Sequence, residues 1–291
     1  MKRMVKSSLT ILVEDYAGYG TELLAQHGLS ILVEALYDDG SRVKVLFDTG
    51  SSSEPILYNS RMLGVDLRDI DYIVLSHSHV DHTGGLLGIL EKVESNPIII
   101  AHPSVFKKSY AYVNGRIVYA GAPVGLREKA EELGCKWLLT KDPVTLAPGI
   151  NTTGSVSVGE RLDFERRGDP SLYCLRGDSL ARDYVEEEIS LVIEGSRGLT
   201  LIAGCSHPGI VSLCTKASRV YGKSVERVVG GLHLVNADVE RIRATIHELY
   251  RRGVREVHAG HCTGFNAECM FKIEFKGLFR KMHCGYKIEV G

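Results

Sequence analysis

The sequence predicts an α+β fold of four layers, αββα, in which two mixed sheets pack face to face with helices outside. Two observations carry this. Each half of the 291-residue chain has strand signals followed by helix–strand units, and in each half strands run at their C-terminal ends into histidine-containing loops. No low-complexity segment or short-period repeat interrupts the pattern. At this length one large domain can fill the chain, and we expect a single domain over 1–291 with a lid or insertion at about 103–187.

The elements follow in order. SLTILVE (8–14), SILVEAL (30–36) and RVKVLFD (42–48) are rich in Val, Ile and Leu and read as strands, with DDG at 38–40 as a hairpin turn. IDYIVLS (70–76) is a further apolar strand that delivers the chain to His77. TGGLLGILEKVE (83–94) has helical spacing, and NPIIIAH (96–102) returns to strand. YVNGRIVY (112–119) reads as a hairpin on Asn114-Gly115, and 124–134 as a short amphipathic helix ended by Gly134. Residues 141–187 have no clear period. Paired strands then follow at 188–195 and 198–204, a helix at about 209–221, a strand at 225–231, a helix at 239–253 and a strand at 254–260 that leads to His261.

Composition narrows the function. Hydrophobic residues make up 44% and charged residues 24%, ordinary for a soluble globular protein. A formal net charge of −1 gives no footprint for nucleic acid or an anionic membrane surface. The N-terminal apolar run is short, Leu9 to Val13, and Glu14 and Asp15 follow at once, so neither a signal peptide nor a membrane span fits. The seven cysteines are odd in number and form no C-x-x-C pair, which argues against a zinc ribbon and a secreted disulfide scaffold. Buried thiols in a reducing cytoplasm are expected; an intracellular disulfide stays open should the source be a hyperthermophile. A homo-oligomer is compatible with all of this.

LSHSHVDHTGG (75–85) sets three histidines and an aspartate within six positions, in a chain with 11 histidines. Chance would supply such an H-x-H-x-D-H string in roughly one sequence per thousand of this composition. In an extended loop His77 and His79 can grip one metal ion while Asp81 and His82 present ligands to a second. Imidazole suits Zn²⁺ and Fe²⁺ and suits Mg²⁺ poorly, whereas a carboxylate adds affinity for harder ions. The glycines after Thr83 allow close backbone approach. The bland alternative is a histidine-rich surface loop.

H-x-H-x-D-H after an apolar strand, with FDTG (47–50) one strand earlier, resembles the metallo-β-lactamase superfamily. That resemblance implies the four-layer fold and implies that Asp48 supports the metal loop instead of binding metal. AQHGLS (25–30), GCSHPGI (204–210), GGLHL (230–234) and GHCTG (260–264) sharpen it to the archaeal dihydropterin synthases of tetrahydromethanopterin biosynthesis. The superfamily adds a further histidine to the first ion, a bridging aspartate and a last histidine at a late strand end. His261 fits the last position and His207 the further ligand, each against a structural reading as a hydrogen-bonded strand-end or capping histidine. Where an aspartate is expected, the chain has Gly204-Cys205-Ser206-His207. Cys205 is open between a metal-binding thiolate, a buried neutral thiol and a substrate contact, and the bridging ligand is unassigned. His233 is a candidate catalytic acid–base or a structural histidine. His27 is placed by the resemblance at the pocket edge, and Thr263 with its glycines could offer backbone N–H groups to a phosphate.

Three functions remain. The resemblance implies a synthase that joins a hydroxymethyl-dihydropterin diphosphate to a ribofuranosylaminobenzene phosphate, with a metal as Lewis acid. The alternative is hydrolysis of a phosphodiester, ester or lactone, with Asp81 orienting an activated water. The third is a metal-dependent sensor or binding module. The cofactor is one or two divalent ions, Zn²⁺ first, Fe²⁺ or Mn²⁺ as alternatives, and Mg²⁺ under the synthase reading. The expected partner is a small molecule, pterin-like and phosphate-bearing under that same reading, with no nucleic acid and no membrane.

Overall fold

The computed structural model describes residues 2–290. One seven-stranded sheet runs in the order Lys287–Val290, Met4–Val13, Ser30–Tyr37, Arg42–Phe47, Tyr72–Val74, Ile98–Ala101 and Lys136–Leu139. The other runs Leu278–Lys281, Glu256–Gly260, Val225–Gly231, Leu199–Ala203, Leu191–Glu194, Ile150–Thr152 and Thr145–Ala147. Each combines antiparallel hairpins with a parallel half.

Side-chain parity explains the four layers. Successive strand residues point to opposite faces, so a strand buried on both sides reads as a continuous apolar run. Val45 and Phe47 enter the core shared with Ile202 and Val229 of the other sheet. Leu46 points the other way, into a core with Ile56, Leu86 and Ile89 from the helices Ser53–Leu63 and Leu86–Leu90. Leu201, Val228 and Val257 pack outward on Leu213, Ile246 and Phe271 of the helices Ile210–Tyr221, Val239–Arg251 and Phe265–Glu274. Each such buried aliphatic side chain stabilises the fold by about 1.5–3 kcal/mol.

The parallel strands of both sheets deliver their C-terminal ends to one rim of the sandwich, the place where α/β proteins set their sites. The loops that leave this rim begin at Asp48, Leu75, Gly204, Leu232 and His261.

Two departures from the sequence reading bear on the site. The helix expected over 83–94 is two short helices, Val80–Thr83 and Leu86–Leu90. Gly84 and Gly85 press against the loop after Asp48; a Cβ on them would stand 2.2 Å from the Ser51 carbonyl oxygen and 2.1 Å from that of Thr49. Tertiary contact with that loop thus overrides the helical period. Residues 103–187 are not one insertion. Lys136–Leu139 joins the first sheet, while Thr145–Ala147 and Ile150–Thr152 extend the second. What stands apart is a four-stranded antiparallel sheet, ordered Ser179–Arg182, Leu172–Arg176, Ser109–Val113 and Arg116–Tyr119. Its second hairpin turns at Asn114 and Gly115, both with positive φ, as an Asn-Gly turn requires.

Among the described residues no helix is long and apolar enough to cross a membrane. All seven cysteines are free.

Candidate metal centre

Asp48 ends the strand Arg42–Phe47 in a left-handed conformation, with φ 60°, and is fully buried. Its carboxylate accepts from the Ser76 backbone N–H at 2.7 Å and the Ser76 hydroxyl at 2.7 Å, and lies 2.6 Å from His82 Nδ1. This fixes the start of the histidine loop and leaves His82 Nε2 as the outward nitrogen. Ser76 Oγ also lies 2.9 Å from His77 Nδ1, which turns His77 Nε2 toward His79, 3.1 Å away. The far side of the loop is held by Leu29, whose N–H donates to the Asp81 carbonyl at 3.2 Å. The preceding Gly28, at φ 132°, lets the chain pass so close that a Cβ would stand 2.3 Å from that oxygen.

The second sheet supplies the opposing wall. After Leu199–Ala203 the chain turns through Ser206 at φ 66°, and the buried Glu188 carboxylate accepts from the N–H groups of Cys205, Ser206 and His207 at 3.1, 2.7 and 2.7 Å. Three convergent N–H groups form an anion nest that fixes this turn. Burial pushes the Glu188 carboxyl up to about 7 against those hydrogen bonds. His261, at φ 50°, donates its N–H to Glu14 at 3.0 Å and sets Nδ1 2.6 Å from Asp15. The other oxygen of Asp15 lies 2.7 Å from His27 Nδ1. Four of the six positive-φ non-glycine residues described, Asp48, Ser206, His233 and His261, lie in this centre. Strained backbone gathers at sites whose surroundings over-determine it.

Two donor sets result. His77, His79 and His207 face one another, their ligand atoms within 4.8 Å. Asp81, His82, Cys205 and His261 form the second set. In it Cys205 Sγ is 3.2 Å from both His82 Nε2 and His261 Nε2, and Asp81 Oδ2 is 3.4 Å from each. Zinc bonds of about 2.0–2.3 Å arranged tetrahedrally need donor–donor edges of about 3.3–3.8 Å, so these spacings suit an ion. Moreover, among the described residues His79 Nε2 and His207 Nε2 find no hydrogen-bond partner although both are buried. Each such nitrogen costs about 1–3 kcal/mol unless something satisfies it, and a cation would satisfy the two histidines of the first set. The residues present therefore fit a divalent metal.

The electrostatics agree. Burial and the neighbouring imidazoles hold His77 and His207 well below the usual histidine range, and burial holds His79 down at about 4. These are neutral bases, as ligation requires. Burial opposes charge on His82, yet Asp81 and Asp48 push it up to about 10. Asp81 is held well below the carboxylate range, against burial, by His82 and His261. The second set thus attracts positive charge. Burial pushes the Cys205 thiol up, so a cation is needed there to hold a thiolate.

All six residues predicted as ligands, His77, His79, Asp81, His82, His207 and His261, come together. Cys205 sits among them, buried, and stands outside the lining of the cavity beside His207. His27 is exposed at the edge, with Nε2 3.5 Å from Asp81. His233 has φ 49°, stacks 4.1 Å from His207 and sets Nε2 3.2 Å from Asp169. Thr263 is fully buried, its hydroxyl accepts the Leu232 N–H at 3.1 Å, and it stands outside the lining of the cavity beside His207. Sequence reasoning missed Asp15, Ser76, Asp169 and Glu188. The acidic pair Glu14-Asp15 at the end of a buried strand was a signal for one of them.

Beside His207 and His233 opens a cavity of about 680 Å³, with Phe164, Arg167, Asp169, Val235 and Arg241 in its walls. Arg241 lies over the Phe164 ring and donates to the Phe164 carbonyl oxygen. The separate sheet is tied to the histidine loop by Ser78, whose hydroxyl lies 3.0 Å from that of Ser109 and donates to Glu187 at 2.9 Å, while Lys107 donates to Asp183 and Glu187 at 2.6 and 2.7 Å.

The family model for the metallo-beta-lactamase superfamily matches residues 25–216. The chain is 44% identical to the 7,8-dihydropterin-6-methyl-4-(beta-D-ribofuranosyl)-aminobenzene-5'-phosphate synthase of Methanocaldococcus jannaschii, over 96% of this chain and 95% of that one. Among solved structures it is similar to a metal-dependent hydrolase of the beta-lactamase superfamily, with TM-score 0.80 and 28% identity over 99% of this chain and all of the other. A diphosphatase of the PhnP family shares the fold at TM-score 0.54 and 12% identity, over 99% and 98% of the two chains.

Proposed function

The chain belongs to the metallo-β-lactamase superfamily, and from that membership we propose that it is a metal-dependent synthase. It joins a hydroxymethyl-dihydropterin diphosphate to ribofuranosylaminobenzene 5′-phosphate. The observation that carries this is the 44% identity to a synthase of that name over nearly the full length of both chains. The reaction forms a bond from the arylamine nitrogen to the pterin methylene carbon. It breaks the carbon–oxygen bond to diphosphate and releases one proton from the amine.

His77, His79 and His207 would hold one divalent ion, and Asp81, His82 and His261 a second. A bound ion there supplies Lewis acidity against the charge of the departing diphosphate. The chain's own residues do the rest. Asp48 and Asp15 accept from the Nδ1 positions of His82 and His261, which aims each Nε2 into the centre. Asp169 orients the His233 ring on the cavity wall, where it handles the amine proton. Phe164 offers a face for a flat ring, and Arg167 at the rim a cation for the phosphate. Residues 163–170, within the segment expected to form a lid, cover this cavity on one side. Histidine and thiol donors favour zinc, with iron as the nearest alternative. Seven free thiols suit a cytoplasmic enzyme.

The likeness to a metal-dependent hydrolase supports a second reading, cleavage of an ester, lactone or phosphodiester on the same ligands. One experiment separates the two. Metal-loaded protein is given the dihydropterin diphosphate with and without the arylamine, and product masses are followed. Condensed product formed only with the arylamine supports the synthase. Hydroxymethyl-dihydropterin formed equally in both mixtures supports the hydrolase.

A further inference from the structure

We propose that the Cys205 thiolate is a shared ligand that joins the two metal positions into one centre. Its Sγ lies 3.2 Å from both His82 Nε2 and His261 Nε2, inside the set that includes Asp81. The same sulfur is within 4.8 Å of ligand atoms on His207 and His233. His207 in turn belongs to the set of His77 and His79. Cys205 is thus the side chain that reaches from one donor set to a member of the other.

Its surroundings fit a ligand better than a packing residue. A structural buried cysteine behaves as a small hydrophobe, but the sulfur of Cys205 touches imidazoles. Its backbone is clamped from both sides. Glu188 accepts the N–H groups of residues 205 to 207, Cys262 Sγ donates to the Cys205 carbonyl at 3.3 Å, and Ser206 Oγ donates to the Gly231 carbonyl at 2.6 Å. Gly231 and Gly204 leave no room for the turn to shift: a Cβ on the first would stand 2.6 Å from Cys262 Sγ and on the second 2.3 Å from Ser76 Oγ.

A thiolate in the shared position changes which ions the centre takes. Five imidazoles, a thiolate and one carboxylate suit Zn²⁺, Fe²⁺ or Co²⁺. Mg²⁺ demands oxygen ligands in octahedral array and keeps its water, so it competes poorly here. The assignment rests on the metalloenzyme reading and is independent of the pterin substrate.

Cobalt substitution tests it. Metal-stripped protein is loaded with Co²⁺; near-ultraviolet thiolate-to-cobalt absorption and bound cobalt per chain are read together. The wild type is expected to show the band, to hold about two ions per chain, and to keep both under a large excess of Mg²⁺. Cys205→Ser should lose the band and at least half of the cobalt. Cys205→Asp, which restores an anionic donor and guards against a merely misfolded serine variant, should lose the band yet keep the cobalt. Cys262→Ser should keep the band. A band that survives in Cys205→Ser, vanishes in Cys262→Ser, is missing from the wild type, or is displaced by Mg²⁺ would overturn the proposal. Failure to condense the pterin with the band intact would instead overturn the synthase reading alone.

Discussion

The Asp48 carboxylate accepts two hydrogen bonds from Ser76 and one from His82, and all three groups are buried. Its effect on the centre is to decide the tautomer of His82. With asparagine in its place an amide N–H would face His82 Nδ1, the ring proton would move to Nε2, and the nitrogen aimed into the centre would no longer be a ligand. Asp48→Asn is therefore expected to weaken metal binding by about 10–100-fold, the range seen when such supporting carboxylates are lost, as read by competition with a chelator. Wild-type affinity in that variant would show that Asp48 only braces the loop. The histidine cluster was legible because its members are near neighbours along the chain: His77, His79, Asp81 and His82 need only an extended loop to converge. Asp15 was not legible, because its contact with His261 spans 246 residues and exists only once both sheets have closed. Cys205 was visible as a departure whose role stayed open among thiolate ligand, buried thiol and substrate contact, since the choice depends on His82 and His261 arriving 3.2 Å from its sulfur.

At the scale of elements, the histidine loop is held by close backbone approach on one side and a buried ion cluster on the other. A Cβ at Gly85 would stand 2.1 Å from the Thr49 carbonyl oxygen and 2.9 Å from the Ser52 carbonyl carbon, both backbone atoms with no side chain to yield. Gly85→Ala should destabilise the fold by at least about 1–3 kcal/mol, the usual overpacking penalty, and displace the helix Val80–Thr83 that carries Asp81 and His82. Urea unfolding checks the first outcome, and bound metal per chain the second. On the other side Lys107 neutralises two buried carboxylates, Asp183 and Glu187, and Glu187 receives the Ser78 hydroxyl. Lys107→Met leaves like charges buried together and should cost about 3–5 kcal/mol, as for other broken buried pairs. A loss below about 1 kcal/mol, the size of an exposed pair, would mean that the cluster relaxes into water. The long strands were legible from apolar runs because both faces of each sheet are covered. The break at Gly84-Gly85 was not, since helical period cannot register a neighbouring loop. The stretch 141–187 failed for a similar reason: its strands are short, as in Ile150–Thr152, which is held between Leu191–Glu194 and the edge strand Thr145–Ala147 rather than by any period of its own.

Across the whole molecule, the two sheets share a core, and each contributes candidate metal donors: His77, His79, Asp81 and His82 from one, Cys205, His207 and His261 from the other. Metal bound between them stabilises the closed sandwich by mass action, about 4 kcal/mol at roughly a thousandfold excess over the dissociation constant. Removing it with a chelator should lower the melting temperature by on the order of 10 °C for a chain of this size, and re-addition of Zn²⁺ should restore it. An unchanged melting curve would mean that no ion is held between the two sheets. If this centre drives dihydropterin condensation, the wild type and His79→Ala differ in condensed product, with metal content read on the same samples. The expected result is product and bound metal in the wild type, and loss of both in the variant. A variant that keeps its metal and its product, or a wild type that makes none from the two substrates, would show that this centre does not carry the condensation.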